Sequence, residues 1–549
     1  MRGRSVFMDS LRAHGVHAIF GNPGTTESPL LDALADYPDI RYITTLHEGI
    51  AVSAAVLYAQ ATGESVVANV HVAPGLGNAL GSLYGALKSS TPLILTAGQQ
   101  DTRLLIRGPV LGHDLVAMAA PLVKWSTQVN SADDMAAVMQ RAFTIANEAP
   151  KGPVFVALPL NVMEQETVNG AWSAGPIYTA PSPDQHGIAA AAQLLAAAQR
   201  PVIIAADDVA RGGAVPALIA LAECWGARVF QERLHQHVVF PTAHGAYGGF
   251  LPLETSGIRA ALDAPDAVLL AGGPFFEELW YDPTPAIAPG VPVVQLGHCG
   301  GVLARNFAIS LGVLGDLKAS LEALTSALSG QVAAAHSHAR LAGLESRRAE
   351  ERLAVDAALR KSHAQRPMTT LRAMVEIAKG LPPNGVVVDE SITAAGDVAK
   401  AFDFKSPGDY FGQRGGGIGQ GIAGALGVAI AMPQRPVLAI SGDGSAMYTI
   451  QSLWTAAHLQ LGIVFVILAN REYRVLKHNI DIYRQRFATG ANQPYPHMDL
   501  SPTLDFMALA QGMGVGAERI DDPAELAAAV RNAIASGAPR LIEVVIAGK

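Results

Sequence analysis

Acidic and amide side chains follow two successive apolar segments of this chain, where they could bind a metal. Asp443 lies in the sequence Gly-Asp-Gly-Ser after one apolar run, and Asn470 closes the next run. A strand that leads through a glycine turn into a helix offers backbone N–H groups and a positive dipole end to a phosphate. With the backbone carbonyl of Glu472 and two diphosphate oxygens, these groups form the oxygen-rich shell that Mg2+ prefers. A metal-bound diphosphate is therefore predicted, although a lone Gly-Asp-Gly turn also occurs in many α/β proteins.

A second candidate carboxylate, Glu48, lies early in the chain. It connects an expected strand, which includes 42–46, with an expected helix of small residues at 51–61. A carboxylate that begins such an apolar helix is expected to be buried. By position alone, Glu48 could equally be a residue that stabilises the positive end of the helix dipole. A catalytic role for Glu48 is favoured only when this residue is considered together with the predicted metal site.

The elements that must position these residues alternate between strands and helices along the chain. Buried apolar runs are separated by helical segments without a solenoid repeat, which favours doubly wound parallel sheets. We therefore predict an α/β protein with three such domains, and we expect a helix from about Ala446 to Leu459 in the last one. The predicted domains are 1–171, 185–330 and 367–549, with a Pro-, Ser- and Ala-rich linker at 173–184 and a charged helical connector at 331–366.

Composition limits the class of partner. The 549 residues are 50% hydrophobic and carry a formal net charge of −8, so the chain can fill several cores and is not expected to bind nucleic acid or an anionic membrane. Cys224 and Cys299 have no metal-ligand spacing and no disulfide framework, which favours buried thiols in a reducing cytoplasm. The uncharged stretch 415–434 is rich in glycine and alanine, and we interpret it as a glycine loop and a buried helix rather than a membrane span.

Several further short sequences, taken in their order, give the chain a family resemblance. They are 20–24, His71 with 75–79, 96–100, 121–125 and 453–457. Together with Glu48 and the Asp443 to Asn470 motif, they resemble the thiamine diphosphate-dependent decarboxylases and carboligases, in particular those related to benzoylformate decarboxylase. The similarity covers nearly the full length. It implies pyrimidine-binding, central Rossmann-like and diphosphate-binding domains in that order, with thiamine diphosphate and Mg2+ as cofactors.

The resemblance implies a role for each matching residue around the cofactor. Glu48 would hydrogen-bond N1′ of the aminopyrimidine, and Gly416 would accept from its amino group. Ile418 would wedge between the two rings, although without the resemblance it could be an ordinary core isoleucine. The remaining cofactor residues are Thr393, Gly442, Asp443, Gly444, Ser445 and Asn470, and the metal ligands are Asp443, Asn470 and Glu472.

The catalytic residues that the resemblance implies are only partly retained. His71 matches a catalytic histidine that moves protons near neutral pH, although a lone histidine is often an inert surface or capping residue. Thr25 takes the place of a substrate-binding serine and keeps its hydroxyl. Leu279 stands where a second catalytic histidine is expected, and His113 is the nearest candidate to replace it.

Two further positions of the implied substrate pocket differ from the family. Val475 replaces an alanine, and Asn479 replaces an aromatic residue. Separately, in the metal motif, Ala469 replaces the first Asn of the family's usual Asn-Asn pair. The expected reaction is decarboxylation of a 2-oxo acid to an aldehyde and CO2, with carboligase side activity. An acetolactate synthase-like or 2-hydroxyacyl-CoA lyase-like enzyme and a non-catalytic α/β binding protein remain alternatives. The resemblance also implies a homodimer or homotetramer with active sites between subunits.

Overall fold

The computed structural model describes residues 1–175, 177, 179–490 and 493–548. Positions 176 and 178 of the predicted linker, and positions 491, 492 and 549 of the predicted last domain, lie outside the described residues. The described chain forms three six-stranded sheets in which neighbouring strands run parallel, so the predicted fold class is confirmed. The domain boundaries given above stay a prediction.

The first sheet has the strand order β2-β1-β3-β4-β6-β5. Its strands are β1 (Ala18–Gly21), β2 (Arg41–Thr44), β3 (Val66–Val70), β4 (Leu93–Gln99), β5 (Ser126–Gln128) and β6 (Val154–Pro159). Its helices are α1 (Gly3–Ala13), α2 (Ser28–Ala33), α3 (Glu48–Thr62), α4 (Val72–Lys88), α5 (Leu115–Ala119), α6 (Met135–Asn147) and α7 (Leu160–Glu164). The chain leaves β1 toward β2 on one side and returns to β3 on the other, so the strand order reverses beside β1.

The central sheet repeats this arrangement with the order β12-β11-β10-β7-β8-β9. Its strands are β7 (Pro201–Ala205), β8 (Arg228–Gln231), β9 (Tyr247–Phe250), β10 (Ala267–Ala271), β11 (Val293–Gly297) and β12 (Leu311–Leu314). Its helices are α8 (Gln185–Ala196), α9 (Asp208–Arg211), α10 (Val215–Trp225), α11 (Thr255–Leu262) and α12 (Leu317–Ser329). A 28-residue, largely exposed helix, α13 (Ala334–Lys361), occupies most of the segment that was predicted to connect to the last domain.

The third sheet has the order β14-β13-β15-β16-β18-β17. Its strands are β13 (Val386–Glu390), β14 (Tyr410–Phe411), β15 (Val437–Gly442), β16 (Ile463–Ala469), β17 (Gly516–Ile520) and β18 (Arg540–Val545). Its helices are α14 (Thr370–Gly380), α15 (Ala395–Ala401), α16 (Gln420–Ala431), α17 (Asp443–Ala446), α18 (Ser452–His458), α19 (Arg474–Phe487), α20 (Phe506–Gly512) and α21 (Pro523–Ala535). Here the strand order reverses between β13 and β15.

The central strands are largely apolar because helices cover both faces of each sheet. Every residue of β3 and of β16 is buried, which is the pattern of parallel strands inside an α/β layer structure. The first and third domains are joined through α3 and α16, which pack closely. A Cβ on Gly427 of α16 would lie 1.9 Å from the carbonyl oxygen of Ala54, so only glycine permits this approach. The shared core therefore fixes how the two domains sit together.

The prediction of one continuous helix from about Ala446 to Leu459 is wrong in its extent. The structure has a short helix, α17, and a separate helix, α18, which begins at Ser452. The segment between them turns toward Gly419, where the Thr449 hydroxyl donates to the Gly419 carbonyl at 2.6 Å. A Cβ on Gly419 would lie 2.7 Å from Cβ of Tyr448. This tertiary contact interrupts the helix.

A membrane-crossing helix is not found in the described part of the chain, since each helix there is too short or too polar.

Candidate active site

Several of the residues predicted to be functional lie near the points where the strand order of the first and third sheets reverses. In parallel sheets, loops at the carboxyl edge beside such a reversal form a crevice that binds ligands. In the first sheet these loops follow β1 and β3, so they bring the 22–27 segment beside His71. In the third sheet they follow β13 and β15, and they carry Thr393 and Asp443.

Glu48 is the first residue of α3 and is only 6% exposed, as predicted. Its carboxylate is bracketed by two side-chain amides. Nδ2 of Asn22 donates to Oε1 at 3.1 Å, and Nδ2 of Asn78 donates to Oε2 at 3.0 Å. A Cβ on Gly75 would lie 3.0 Å from Oε1, so α4 approaches the carboxylate closely. The carboxylate is thus held by groups that can rotate away when another donor binds.

His71 is the residue before α4, and a second carboxylate fixes its imidazole. Nδ1 lies 2.8 Å from Oε2 of Glu27, which is buried, and 3.1 Å from the Thr26 hydroxyl. Oε1 of Glu27 accepts from the Thr26 hydroxyl at 3.0 Å and from the N–H of Gly98 at 2.8 Å. With Nδ1 donating to Glu27, Nε2 is left as the nitrogen that exchanges protons with another group.

The loop between β1 and α2 connects Glu48 with His71. The N–H of Gly24 donates to Oε2 of Glu27 at 2.8 Å, and a Cβ on Gly24 would lie 2.3 Å from Nδ1 of His71. The imidazole therefore packs directly on the loop backbone. Thr25 follows with an exposed side chain, so its hydroxyl is available to a ligand. Glu48, Thr25 and His71 are brought together by this one loop.

The predicted metal ligands lie side by side in the third domain. Gly442 of β15 pairs with Leu468 of β16, so Asp443 and Asn470 leave adjacent strand ends. Oδ2 of Asp443 accepts from the N–H of Arg471 at 2.6 Å, and Oδ1 accepts from the N–H of Gly444 at 2.8 Å. Burial raises the pKa of Asp443 although these N–H groups oppose the change. A bound cation would offset this cost of burying the carboxylate.

The side chain of Glu472 is directed to another partner, in agreement with a role for its carbonyl alone. Its Oε2 accepts from Nζ of Lys477 at 2.5 Å, and the same ammonium donates to Asp499 at 2.8 Å. The N–H of Glu472 donates to Oδ1 of Asn470 at 3.1 Å. In the described part of the chain, no group of three or more His, Cys, Asp or Glu side chains could by itself hold a metal ion. The donor set here is one carboxylate, one amide and backbone carbonyls.

The loop before α16 carries Gly416 and Ile418, and buried groups fix its far end. Glu390 of β13 accepts from the N–H groups of Gly419 at 2.5 Å and Gly421 at 2.7 Å. Gly416 is exposed with φ of +71°, and Ile418 is 40% exposed. Ile418 is therefore not an ordinary core residue. An exposed apolar side chain on a fixed loop suits the wedge between cofactor rings that the family resemblance implies.

Glu390 has the most perturbed carboxyl group near this loop. Burial raises its pKa to about 7, and the two N–H bonds only partly oppose the shift. The sequence pattern did not indicate a role for Glu390. It also did not indicate Asn22 and Asn78 as partners of Glu48, or Glu27 as the partner of His71. Glu27 had a local signal, since an acidic residue three positions after Gly24 fits a helix-capping pattern. The pairing of Glu27 with His71 had none, because it depends on the sheet order.

The residues predicted for the substrate pocket are Thr25 and His71 in the first domain and Leu279, Val475 and Asn479, which lie on two further elements that contact each other. Val475 and Asn479 are half-buried one turn apart on α19, and Leu279 is 60% exposed in the segment after β10. The guanidinium of Arg486 on α19 donates to the carbonyl of Tyr281, which joins the helix to that segment. Thr393 lies in the helical turn Ile392–Ala394, which also packs against α19. Pocket roles for these residues stay predictions.

His113 is exposed, and its backbone is tied to the first half of the site. Nε2 of Gln99 donates to the His113 carbonyl at 2.8 Å, and Gln99 follows Gly98, which bonds Glu27. The arrangement brings its backbone near the His71 loop but does not join the two imidazoles by a hydrogen bond.

Three family models match the chain in the order of its sheets. Residues 1–118 match the N-terminal TPP binding domain of thiamine pyrophosphate enzymes, residues 188–324 match their central domain, and residues 393–544 match their C-terminal TPP binding domain. The two matched binding domains contain Glu48 and Asp443 respectively. The chain therefore has the domains of a thiamine diphosphate-dependent α/β enzyme.

Full-length relatives narrow this class. The chain is 32% identical to benzoylformate decarboxylase of Pseudomonas aeruginosa, over 98% of both chains. It is 27% identical to the acetolactate synthase isozyme 3 large subunit of Escherichia coli, over 97% of this chain and 92% of the relative. The structure of a thiamine diphosphate-dependent 4-hydroxybenzoylformate decarboxylase from Rhodococcus jostii RHA1 superposes with a TM-score of 0.87 at 28% identity, over 100% of both chains. The chain belongs to the family of thiamine diphosphate-dependent 2-oxo acid decarboxylases and carboligases, and it is an enzyme.

Proposed function

We propose that this enzyme decarboxylates a benzoylformate-like 2-oxo acid to an aldehyde and CO2 without oxidation, with thiamine diphosphate and Mg2+, and with carboligation as a side reaction. The observation that carries the proposal is the Glu27–His71 pair at 2.8 Å, beside the loop that also bonds Glu48. A fixed imidazole next to the cofactor-activating carboxylate is what protonation and release of an aldehyde require.

Residues from both domains would hold the cofactor. The bound cofactor supplies a carbon nucleophile and an electron sink for loss of CO2. Glu48, which now accepts from two side-chain amides, would exchange them for the pyrimidine, and Gly416 and Ile418 lie on the exposed loop that would fix the cofactor's ring arrangement. The turn 442–445 would bind the diphosphate, with Thr393 contacting the cofactor. Asp443, Asn470 and the Glu472 carbonyl would bind Mg2+.

Two groups in the first domain would act on the substrate. Because Nδ1 of His71 is engaged by Glu27, its Nε2 is the atom that would give a proton to the product carbon or take one from a hydroxyl. The exposed Thr25 hydroxyl would bond the substrate carboxylate. A second proton step needs another group, because Leu279 cannot carry a proton, and we assign that step to His113.

A second copy of the chain would complete the site. The segment after β4 exposes Ile106 and Val110 almost fully, at 92% and 96%, close in sequence to His113. Apolar side chains exposed together mark interaction surfaces. We propose a homodimer or homotetramer in which the first domain of one protomer meets the third domain of its partner. Cys224 and Cys299 are free thiols but half-buried rather than buried as predicted, and their free state agrees with the cytoplasm as the proposed location.

A panel of 2-oxo acids tests the reaction. The purified protein with Mg2+ and thiamine diphosphate is incubated with benzoylformate, 4-hydroxybenzoylformate or pyruvate, and products are identified by mass. We expect CO2 and the aldehyde as main products from at least one aryl substrate. No turnover of any aryl 2-oxo acid, with turnover of pyruvate alone, would refute a benzoylformate-like substrate.

One observation favours a second candidate, an acetolactate synthase-like or 2-hydroxyacyl-CoA lyase-like enzyme. Leu279 is exposed on the segment where the decarboxylases carry their second histidine, so protonation of the reaction intermediate could be slow enough for a second carbonyl to compete. Repeating the panel with added aldehyde, pyruvate or CoA distinguishes the two. A 2-hydroxy ketone or a CoA thioester as the dominant product favours the carboligase or lyase. The non-catalytic alternative is not retained, since the chain is an enzyme of this family.

A further inference from the structure

Arg414 is a buried cation that reaches from the cofactor loop into the central domain. It lies between β14 and α16, directly before Gly415 and Gly416, and its side chain is 2% exposed. Nη1 donates to the Leu234 carbonyl at 2.8 Å and lies 3.3 Å from Oδ2 of Asp207, and Nη2 donates to Oε2 of Glu277. A cation this deeply buried is stable only with such partners.

The three partners belong to loops at the carboxyl edge of the central sheet. Asp207 follows β7, Leu234 follows β8 and Glu277 follows β10. The strand order of this sheet reverses between β7 and β10, so these loops form its crevice. The neighbouring backbone is docked there as well, since the N–H of Gly412 donates to the Gln236 carbonyl at 2.8 Å. Arg414 therefore joins the cofactor loop to the crevice of another domain.

The guanidinium is shared between carboxylates that differ in how firmly they are held. Asp207 is fully buried, and its Oδ1 also accepts from the N–H groups of Gln236 at 2.9 Å and His237 at 3.2 Å. Burial opposes its ionisation, but Arg211 and Arg414 outweigh burial and lower the pKa of Asp207. The Glu277 side chain is 31% exposed. Asp207 is the more deeply buried partner of the arginine, whereas Glu277 is the partner that lies nearer to solvent.

The segment that contains Glu277 is anchored at both ends and has exposed side chains between them; at its far end Arg259 pairs with Asp282 at 3.1 Å. Phe275 is buried, and the N–H of Phe276 donates to Oε1 of Glu232 at 2.9 Å. Beyond Glu277, Leu279 and Tyr281 are exposed, while the guanidinium of Arg486 donates to the Tyr281 carbonyl and lies 5.8 Å from the centroid of the Trp280 ring. Glu277, through its bond to the buried Arg414, is thus the last side chain that ties the segment to the core before Leu279. Leu279 is the residue that replaces the family's second histidine.

We propose that the Arg414–Glu277 pair is a positioning device that fixes the segment 275–281 relative to the cofactor loop, and thereby sets how the substrate is bound. This inference rests on the proposed function of the site. Arg414 and Glu277 act through Gly416 and Leu279 and do not themselves touch the reacting atoms. The fork of the guanidinium matters, since it engages Asp207 and Glu277 at once.

Glu277→Gln tests the device, and Glu278→Gln is its matched control. Glu278 is the exposed neighbour, so its substitution removes the same charge without touching Arg414. For Glu277→Gln we expect KM for the 2-oxo acid to rise about fivefold with kcat within about twofold, and amide exchange of 275–282 to quicken about threefold or more in the cofactor-loaded enzyme. Glu278→Gln should match the wild type. Unchanged KM and exchange in Glu277→Gln, or equal changes in Glu278→Gln, overturn the proposal.

Arg414→Lys separates positioning from simple stability. Lysine keeps the charge near Asp207 but cannot fork to both carboxylates, so the protein should melt earlier, and the rise in KM and the faster exchange of Glu277→Gln should reappear. A variant that melts earlier yet keeps wild-type KM and exchange would contradict the proposal. The exchange measurement needs no turnover. If the wild type acts on no 2-oxo acid, the proposed function fails, while exchange still decides whether the pair fixes the segment.

Discussion

Glu48 and Asp443 occupy similar places in two different sheets, yet they are held in different ways. Each is a buried carboxylate at the start of a helix, on the carboxyl side of a parallel strand. The oxygens of Glu48 accept from the side-chain amides of Asn22 and Asn78. The oxygens of Asp443 accept from the backbone N–H groups of Gly444 and Arg471.

The difference indicates what each half of the site does. Side-chain amides can rotate, so Glu48 can change partners during a reaction without movement of the main chain. Backbone donors are fixed by strand register, here the pairing of Gly442 with Leu468, so Asp443 keeps one geometry whatever binds. The half of the site in the first domain is therefore suited to chemistry, and the half in the third domain is suited to anchoring the cofactor. Substitutions in the two halves should affect kcat and binding respectively.

Glu48→Gln should have the largest effect on the chemical half. Glutamine fills the same volume but has no carboxyl proton to exchange with the pyrimidine. We expect kcat to fall by about 1,000-fold or more, while Mg2+-dependent binding of thiamine diphosphate persists. Steady-state rates and a fluorescence titration of the cofactor measure the two quantities. Glu64→Gln, an exposed glutamate just past the end of α3, is the control and should keep wild-type rates. Normal turnover of Glu48→Gln would remove Glu48 from the mechanism.

Asp443→Asn should weaken the anchoring half. The amide keeps an acceptor for one backbone N–H but loses the charge that attracts Mg2+. We expect the Kd of thiamine diphosphate in the presence of Mg2+ to rise about 100-fold or more, with kcat at saturating cofactor reduced far less than in Glu48→Gln. Calorimetric titration with and without Mg2+ checks this. Equal Kd values for the variant and the wild type would show that Asp443 is not a metal ligand.

The positions of Glu48 and Asp443 at strand ends could be predicted from the sequence because local patterns indicate each of them. Apolar runs that end in glycine or before a helix of small residues predict strand ends, and parallel sheets bring strand ends to one edge. The adjacency of Asp443 and Asn470 follows directly. The partners that hold these residues could not be found in this way. Asn78 approaches Glu48, and Glu27 approaches His71, only because β3 lies next to β1 in the sheet.

The expected helix at 446–459 shows the same limit from the side of local structure. Helical propensity describes the chain's own preference, but Thr449 bonds the Gly419 carbonyl of a loop thirty residues away. That contact exists only in the folded third domain. Leu279 is a different case. The family resemblance identified it as the residue that replaces the second catalytic histidine, but only the fold shows that the segment 275–281 is held through Glu277.

Glu27→Gln tests whether the chemical half depends on the fixed orientation of His71. Both oxygens of Glu27 accept hydrogen bonds, so an amide N–H would oppose one of the donors and release the imidazole. We expect kcat to fall about 10- to 100-fold with cofactor binding retained. A double-mutant cycle with His71→Ala provides the control. If Glu27 acts through His71, the double variant should be no slower than His71→Ala alone, whereas additive losses would assign Glu27 a separate role.

Glu390→Gln should have the smallest effect. It changes the half of the site in the third domain, where this buried carboxyl group fixes the cofactor loop. Burial raises the pKa of Glu390 from 4.5 to about 7, so between these values the folded protein binds more protons than the unfolded chain. Stability must then fall as pH rises through this window.

The variant has no such proton to lose, so its melting temperature should fall less than that of the wild type between pH 5 and pH 7. Glu232, whose pKa burial raises to about 7, and His235, whose pKa burial lowers to about 4, titrate in both proteins, so their effects cancel in the comparison. Melting curves recorded by circular dichroism across this range measure the difference. Parallel pH profiles would mean that Glu390 is ionised throughout. In that case the loop before α16 would be held by a full charge on its two N–H groups, and the anchoring half would be more rigid than a protonated carboxyl group allows.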